Sequence, residues 1–168
     1  MTTVKNGIDK VLTWVCVVLF AALVLDVMWQ VVTRQILNNP SAWSEELAKY
    51  LFIWLGLFGA ALVFGERGHV AVDLLVQRSP RTVQIVLMVL VQLAILAFAL
   101  LVLVWGGIRV SNLAWDQNLT GLPVNVGWLY TALPLSGVLT CFYTVYHLVR
   151  IVTGAEVPLD PDAELDLA

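Results

Sequence analysis

The chain has 168 residues, of which 60% are apolar and 12% charged, with a net charge of −3. Polar surface this scarce cannot cover a water-facing core of that size, so a soluble domain is excluded and an integral membrane protein remains. The negative sign belongs to the end of the chain: after Arg150 come five acids (Glu156, Asp160, Asp162, Glu164 and Asp166) and no base, leaving nine basic against seven acidic residues elsewhere.

In chain order, the first apolar stretch covers about residues 11–32. Lys5 and Lys10 precede it as they would a secretion signal. The stretch exceeds the roughly 7–15 residues of a signal core, however, and no small-residue cleavage site follows, so it reads as a retained span. Further stretches cover about residues 47–64, 83–105 and 127–151. Each approaches the roughly 20 residues that carry a helix across a ~30 Å hydrocarbon layer. Backbone groups there have no water to bond, so runs without strand alternation become helices. The fold class is all-α integral membrane, with a four-helix transmembrane domain over residues 1–152.

Between the second and third stretches, residues 70–77 mix Val72, Leu74, Leu75 and Val76 with Asp73 and Gln77. This piece is too short to span and is predicted as a helix lying in the inner headgroup region, ended by Ser79-Pro80. On the opposite side, residues 106–125 end in the turn signal Gly121-Leu122-Pro123. Residues 153–168, with Pro158 and Pro161, form an acidic disordered cytoplasmic tail. With the N-terminus inside, Lys5, Lys10, Arg67, Arg78, Arg81 and Arg150 are cytoplasmic, and Arg34, Lys49 and Arg109 lie outside. That asymmetry predicts both termini in the cytoplasm. No internal repeat is evident, which weighs against the duplicated halves that build many transport pathways.

Polar groups inside the spans are the candidate contacts. Asp26, Gln30 and Thr33 recur at helical spacing on the outer half of the first span, with Arg34 beside them. A carboxylate facing lipid at the centre costs about 2.5–3.5 kcal/mol on insertion scales, so this stripe should face protein or water. It serves either as a buried contact to another helix or subunit, which is favoured, or as an ion relay. Gln92 in the third span reads as interhelical hydrogen-bonding. The second span carries Gly56-x-x-x-Ala60, with Gly59 beside it, and Ala61-x-x-x-Gly65, spacings that let helix backbones approach closely. Pro134 cannot donate to the Tyr130 carbonyl and predicts a kink in the fourth span, eased by Gly137. His69 and His147 read as interfacial, and Cys16 and Cys141 as small core residues. Trp29, Trp43, Trp105, Trp115 and Trp128 fall near outer span ends, as an aromatic belt would. No nucleophile motif, phosphate loop, metal-ligand spacing or basic nucleic-acid patch is present, so no enzyme, cofactor, metal or nucleic-acid role is predicted.

Ser44 before Glu45 and Glu46 suits a helix start, with a hydroxyl to cap free N–H groups and acids at the positive dipole end. Glu45 and Lys49 stand at i, i+4, a pairing worth only about 0.2–0.5 kcal/mol. On local physics alone this is a well-capped entry into a span. The run Trp43-Ser44-Glu45-Glu46-Leu47-Ala48-Lys49-Tyr50, followed by Trp54, Gly59-Ala60, Arg67 and His69-Val70, resembles the signature of the small membrane subunit (Q-type, DctQ-like) of TRAP transporters, the tripartite ATP-independent periplasmic systems of bacteria and archaea. Leu122-Pro123-Val124-Asn125-Val126-Gly127-Trp128, with Tyr130 and Pro134, is similar to that family's approach to its last span. The resemblance covers about residues 11–152. One departure is Gly65-Glu66-Arg67-Gly68-His69, less basic than the stretch family members often carry there.

The resemblance implies a bacterial or archaeal inner-membrane protein that joins a much larger membrane subunit, enlarges its static scaffold and helps dock a periplasmic substrate-binding protein. It implies transport of organic acids driven by a sodium gradient, in a complex surrounded by membrane lipid. Trp43, Glu45, Glu46, Lys49, Trp54, Arg67 and His69 become candidate contacts to the large subunit or the binding protein. Asp26, Gln30, Thr33, Arg34 and Gln92 become candidate buried polar contacts, and Gly56, Gly59, Ala60 and Pro134 candidate packing positions. The alternative is a self-sufficient proton-coupled exporter, a homodimer with Asp26 as coupling site. An integral membrane enzyme would need clustered acid–base or metal residues at one face, which the sequence lacks.

Overall fold

The computed structural model describes residues 2–39, 41–65 and 81–153. Arg67, His69, the interfacial helix expected at 70–77 and the tail beyond Thr153 lie outside them. The protein is all-α, and four of its helical spans are long and apolar enough to cross a membrane: Lys5–Gln35, Ala42–Gly65, Val83–Leu113 and Val126–Ile151.

Helix α1 (Thr2–Gln35) has 34 residues. At 1.5 Å per residue it is about 50 Å long, well beyond the ~30 Å of hydrocarbon, so its polar first turns project from the membrane. It closes with the Leu37 N–H on the Val32 carbonyl at 3.2 Å and the Asn39 N–H on the Thr33 carbonyl at 3.1 Å. Asn38 takes the left-handed conformation (φ 50°), which asparagine tolerates better than most residues with a side chain. Helix α2 (Ala42–Gly65) then runs back through the membrane.

The third span has three parts: α3 (Arg81–Phe98), a π-helical stretch Ala99–Gly106, and α4 (Gly107–Leu113). Helical geometry therefore continues eight residues past Trp105, where apolar character alone ends the span. Nothing in Gly106–Leu113 stops it: the segment has no proline, and the Arg109 guanidinium lies over the Trp105 ring, 4.9 Å from its centroid.

The fourth span is α5 (Val126–Tyr130) and α6 (Ala132–Val152), interrupted at Thr131. The helix breaks at Thr131, three residues before Pro134, where a kink is expected. Pro134 gives the Tyr130 carbonyl no N–H, and the Thr131 N–H falls back on the Trp128 carbonyl at 3.3 Å. The neighbouring Leu129 carbonyl accepts from the Trp54 indole Nε1–H of α2 at 3.0 Å. A half-buried acceptor beside the break is thus bonded from across the bundle.

Packing sets the helices side by side in the order first, second, fourth, third. α1 packs on α2, α2 on α6, and α6 on both α3 and the π-helical stretch. The fourth span is accordingly 44% buried within this chain, against 11% for each of the others. Leu12, Phe58, Ala61 and Tyr143 form the core, with Val15, Leu19 and Trp54 packed around them. Three glycines let the third and fourth spans and their outer connection approach closely. A Cβ on Gly107 would stand 2.8 Å from Leu133 Cβ and Pro134 Cδ, one on Gly137 2.7 Å from Leu103 Cβ, and one on Gly127 2.7 Å from Trp115 Cε3. Gly137 is therefore a packing seat for the third span as well as a neighbour of the break.

Candidate functional site: the outer helix junction

The signature run forms the first turns of α2, where three elements meet. Ser44 is fully buried, and its hydroxyl does not cap the helix. Helix α2 already begins at Ala42, and Ser44 Oγ donates across to Asp26 Oδ1 of α1 at 2.8 Å, with a longer approach of 3.4 Å to the Asp26 main-chain carbonyl. The capping reading is corrected for a physical reason: a carboxylate buried in the membrane needs a donor more than the frayed N–H groups of an outer helix end do. Asp26 is itself only 6% exposed. It lies beside the first turn of α2, where the positive end of the helix dipole favours an anion. Its second oxygen, Oδ2, has no hydrogen-bond partner among the described residues, nor does the hydroxyl of Ser41 at the head of the helix.

The polar stripe on α1 divides by depth of packing. Asp26 and Thr33 are buried, Gln30 is half-buried, and Arg34 is exposed. Thr33 Oγ1 donates to the Gln30 carbonyl at 3.0 Å, so its hydroxyl is satisfied within its own helix. In the third span Gln92 is half-buried.

Two residues beyond Ser44, Glu46 leaves the bundle and holds the connection between the third and fourth spans. Its Oε1 accepts from Thr120 Oγ1 at 2.7 Å and its Oε2 from the Gly121 N–H at 2.9 Å. The connection is a small hairpin-like loop. Asn118 and Asn125 form an antiparallel bridge, the Val126 N–H donates to the Gln117 carbonyl at 2.8 Å, and the Leu119 N–H to the Val124 carbonyl at 3.2 Å. Only glycine fits at the contact. A Cβ on Gly121 would stand 2.8 Å from Trp43 Cα and 2.9 Å from Trp43 N. Backbone thus lies on backbone, and the Glu46 carboxylate clamps the loop from below.

Around this junction Trp43, Glu45 and Lys49 are exposed, and no ion pair joins Glu45 to Lys49 among the described residues. The structure therefore splits the expected outer-face set. Glu46 and Trp54 are spent on contacts within the chain, while Trp43, Glu45 and Lys49 face outward. Trp29, Trp105, Trp115 and Trp128 are also exposed, with the rings of Trp115 and Trp128 5.5 Å apart.

The two small-residue spacings of α2 differ in the same way. Ala61 and Gly65 are inside: a Cβ on Gly65 would stand 2.8 Å from Tyr143 Cε1. Gly56 and Ala60 are exposed, and a Cβ on Gly56 or Gly59 would meet nothing within 4 Å.

At the other end of the bundle a second polar cluster joins the first and fourth spans. Asp9 accepts from Tyr143 Oη at 2.6 Å and from Lys5 Nζ at 2.7 Å. His147 is buried, 3.2 Å from the Gly65 carbonyl through Nε2. It lies level with the end of the second span, on the side of α6 that Gly65 closes. A carbonyl only accepts, so Nε2 carries the proton of that contact. Sequence reasoning missed Asp9, Tyr143, Thr120 and Gly121. Only the Gly121-Leu122-Pro123 turn signal lay close to any of them.

Among the described residues no three His, Cys, Asp or Glu side chains are grouped so as to hold a metal ion. What the arrangement does is mechanical: it ties span to span and fixes the loop between the third and fourth spans.

The model of the family described as "Tripartite ATP-independent periplasmic transporters, DctQ component" matches residues 23–154. The chain is 30% identical over 152 residues to the "Sialic acid TRAP transporter small permease protein SiaQ" of Vibrio cholerae serotype O1, an alignment covering 89% of this chain and 86% of that protein. It is 45% identical over 83 residues to the "C4-dicarboxylate TRAP transporter small permease protein DctQ" of Pseudomonas aeruginosa, covering 49% of this chain and 37% of that one. It is also 28% identical over 135 residues to the "Sialic acid TRAP transporter permease protein SiaT" of Haemophilus influenzae, covering 80% of this chain but 22% of that far longer polypeptide. The chain belongs to the DctQ family: it is a small membrane subunit of a TRAP transporter, a multi-pass protein of the inner membrane and not an enzyme.

Proposed function

We propose that this subunit works as a fixed scaffold extension for a large membrane subunit in sodium-gradient-driven uptake of an organic acid, and that its outer junction helps seat a periplasmic substrate-binding protein. The observation that carries the reading is the match to SiaT. There a segment like this chain is part of a polypeptide several times longer, and 22% of that protein accounts for the alignment. A small unit joined covalently to a large one in one relative is naturally a bound companion of a large one elsewhere. The names of the relatives, a sialic acid system and a C4-dicarboxylate system, support a carboxylated substrate.

The chain's own chemistry supports a static role. Its buried carboxylate, Asp26, is engaged by Ser44 instead of facing an open path, and the outer loop is clamped by Glu46. Trp43, Glu45 and Lys49 are the outward groups available to a soluble partner, and the open strip at Gly56, Gly59 and Ala60 is available to a neighbouring membrane helix. The distribution of basic residues supports both termini in the cytoplasm, and with that orientation this junction lies on the periplasmic side.

Proteoliposomes holding the large subunit, this chain and the binding protein test the role. An imposed inward sodium gradient should drive uptake of sialic acid or a C4-dicarboxylate, uptake should vanish without this chain, and Glu45→Lys should weaken the dependence on binding protein. Accumulation of solute by this chain alone overturns the scaffold reading. Orientation is tested separately by an impermeant maleimide on intact spheroplasts. It should label a cysteine placed at exposed Asn118 and spare one at exposed Thr153 until the membrane is opened.

A further inference from the structure

The third and fourth spans lose regular α geometry at the same level. In the third, Ala99–Gly106 is π-helical and α4 resumes the α form at Gly107. In the fourth, α5 ends at Tyr130 and α6 begins at Ala132, just before Pro134. The two irregular segments touch: a Cβ on Gly107 would stand 2.8 Å from Pro134 Cδ, and one on Gly137 2.7 Å from Leu103 Cβ. Helices bend sharply at prolines and at π turns, where the i→i−4 ladder is interrupted. Gly106 lies in the same joint without a packing need for glycine, since a Cβ there would meet only the Leu101 carbonyl, at 3.5 Å. A glycine inside a helix loosens the backbone, and here no close approach offsets that.

The residues between these two weak segments hold to one another. The Gly127 N–H donates to the Ala114 carbonyl at 3.0 Å and the Val126 N–H to the Gln117 carbonyl at 2.8 Å, which ties the end of α4 to the start of α5. Gly127 lies against Ser111 and Trp115, and α4 packs more on α5 than on α6. Two side chains of α2 hold this unit by hydrogen bonds among the described residues, at different distances from the joint. Trp54 reaches the Leu129 carbonyl beside the break, whereas Glu46 reaches Thr120 and Gly121, where Gly121 rests on the Trp43 backbone. Trp43 and Trp54 are about 16 Å apart along α2 at 1.5 Å per residue. A swing about the joint therefore moves Leu129 little and parts Gly121 from Glu46.

We propose that residues 107–130 form a hinged cap that lifts as one body on the joint at 99–107 and 131–134, and that the Glu46 carboxylate is the catch that holds it shut. Shut, the cap covers the first turn of α2; lifted, it uncovers the Trp43 backbone on which Gly121 rests. The four spans below the joint stay packed in both positions. The device goes beyond the scaffold role and does not rest on it, nor on which side of the membrane the cap lies.

Double electron–electron resonance on the full chain in micelles tests it, with Cys16→Ala and Cys141→Ala as background and spin labels on Asn118→Cys in the cap and Arg34→Cys at the end of α1, both exposed positions. The latched chain should give one distance. Glu46→Ala should add a second, and Glu46→Gln, which keeps the shape but gives up one acceptor oxygen, should add the same distance at lower population. Where Glu46→Ala does not fold, Glu46→Gln carries the test. Hydrogen exchange on the same variants separates a hinge from a melted loop. In Glu46→Ala the Gly121 amide should exchange at least about ten-fold faster, as the loss of a bond to a charged group implies, while the Val126 and Gly127 amides keep their rates. Gly106→Ala, which fits without a clash, should stiffen the joint and shrink the second population when added to Glu46→Ala. A single unchanged distance in the Glu46 variants overturns the hinge. Faster exchange at Val126 and Gly127 marks local melting and also overturns it, as does a second population that Gly106→Ala leaves intact.

Discussion

Replacing Ser44 with alanine strips Asp26 of its one hydrogen-bond donor among the described residues, since Oδ2 has none to begin with. The change removes a single oxygen from a fully buried side chain, so lost packing contributes little. A hydrogen bond to a charged group contributes about 1.5–3 kcal/mol. Neutral polar contacts between membrane helices average only about 0.6 kcal/mol, because the separated helices find other partners. Both residues are buried, so the acceptor loses its donor with no replacement, which costs about 1–3 kcal/mol. Ser44→Ala should therefore destabilise the chain by about 2 kcal/mol.

Asp26→Leu should cost less. It removes the carboxylate altogether, and the Ser44 hydroxyl keeps the main-chain carbonyl at position 26, 3.4 Å away. With both changes made, neither polar group is left unmatched, and the total should fall below the sum of the singles by about 1.5 kcal/mol. Equilibrium unfolding of the full chain in mixed micelles, driven by dodecyl sulfate and followed by circular dichroism, reads all four corners of this cycle. Additivity within about 0.3–0.5 kcal/mol refutes the reasoning, as does a Ser44→Ala cost no larger than a neutral contact.

The two glycine environments on α2 predict opposite signs in the same assay. Gly65→Ala drives a methyl into the buried Tyr143 ring and should cost about 1–3 kcal/mol, whereas Gly56→Ala, with open space around it, should stabilise the isolated chain by about 0.5–1 kcal/mol. Trp54→Phe keeps an aromatic ring near Phe58, with which Trp54 makes an edge contact, but deletes the donor to the Leu129 carbonyl; a loss of about 1 kcal/mol is expected. Glu46→Ala should release the outer loop without unfolding the spans. Hydrogen exchange at the Gly121 amide should accelerate while amides in the middle of α2 and α6 stay protected, and unchanged exchange at Gly121 would dismiss the clamp.

The four spans were legible because the membrane imposes one requirement on the backbone and the hydropathy of the chain states it directly. Asp26 was legible as a group needing shelter, since a carboxylate in a 22-residue apolar run has few options. Its partner was not. Ser44 is 18 residues away around a turn, and its place ahead of two acids fits a helix cap equally well until the register of α1 against α2 is fixed. Glu46 shows the same gap on a larger scale: Thr120 is 74 residues distant, and neither side of the contact carries any pattern of the other. Pro134 announced the break through its missing N–H, but nothing local could say that Trp54 would reach the Leu129 carbonyl. For His147 the sequence carried depth along the span and not depth within the bundle, so its burial against Gly65 was not legible.

The side-by-side order of the spans bears on how the molecule comes into being. Synthesis runs from the N-terminus, so the first two spans can form a hairpin early, latched by Asp26 and Ser44. The third must then wait in the bilayer for its principal neighbour, since the segment that joins it to the hairpin is made last. Biogenesis thus has a late checkpoint at the closing of α6 between its two flanks. A nascent chain cut short before Val126 would present the membrane's proteases with a paired hairpin and a third helix lacking its main packing partner among the described residues.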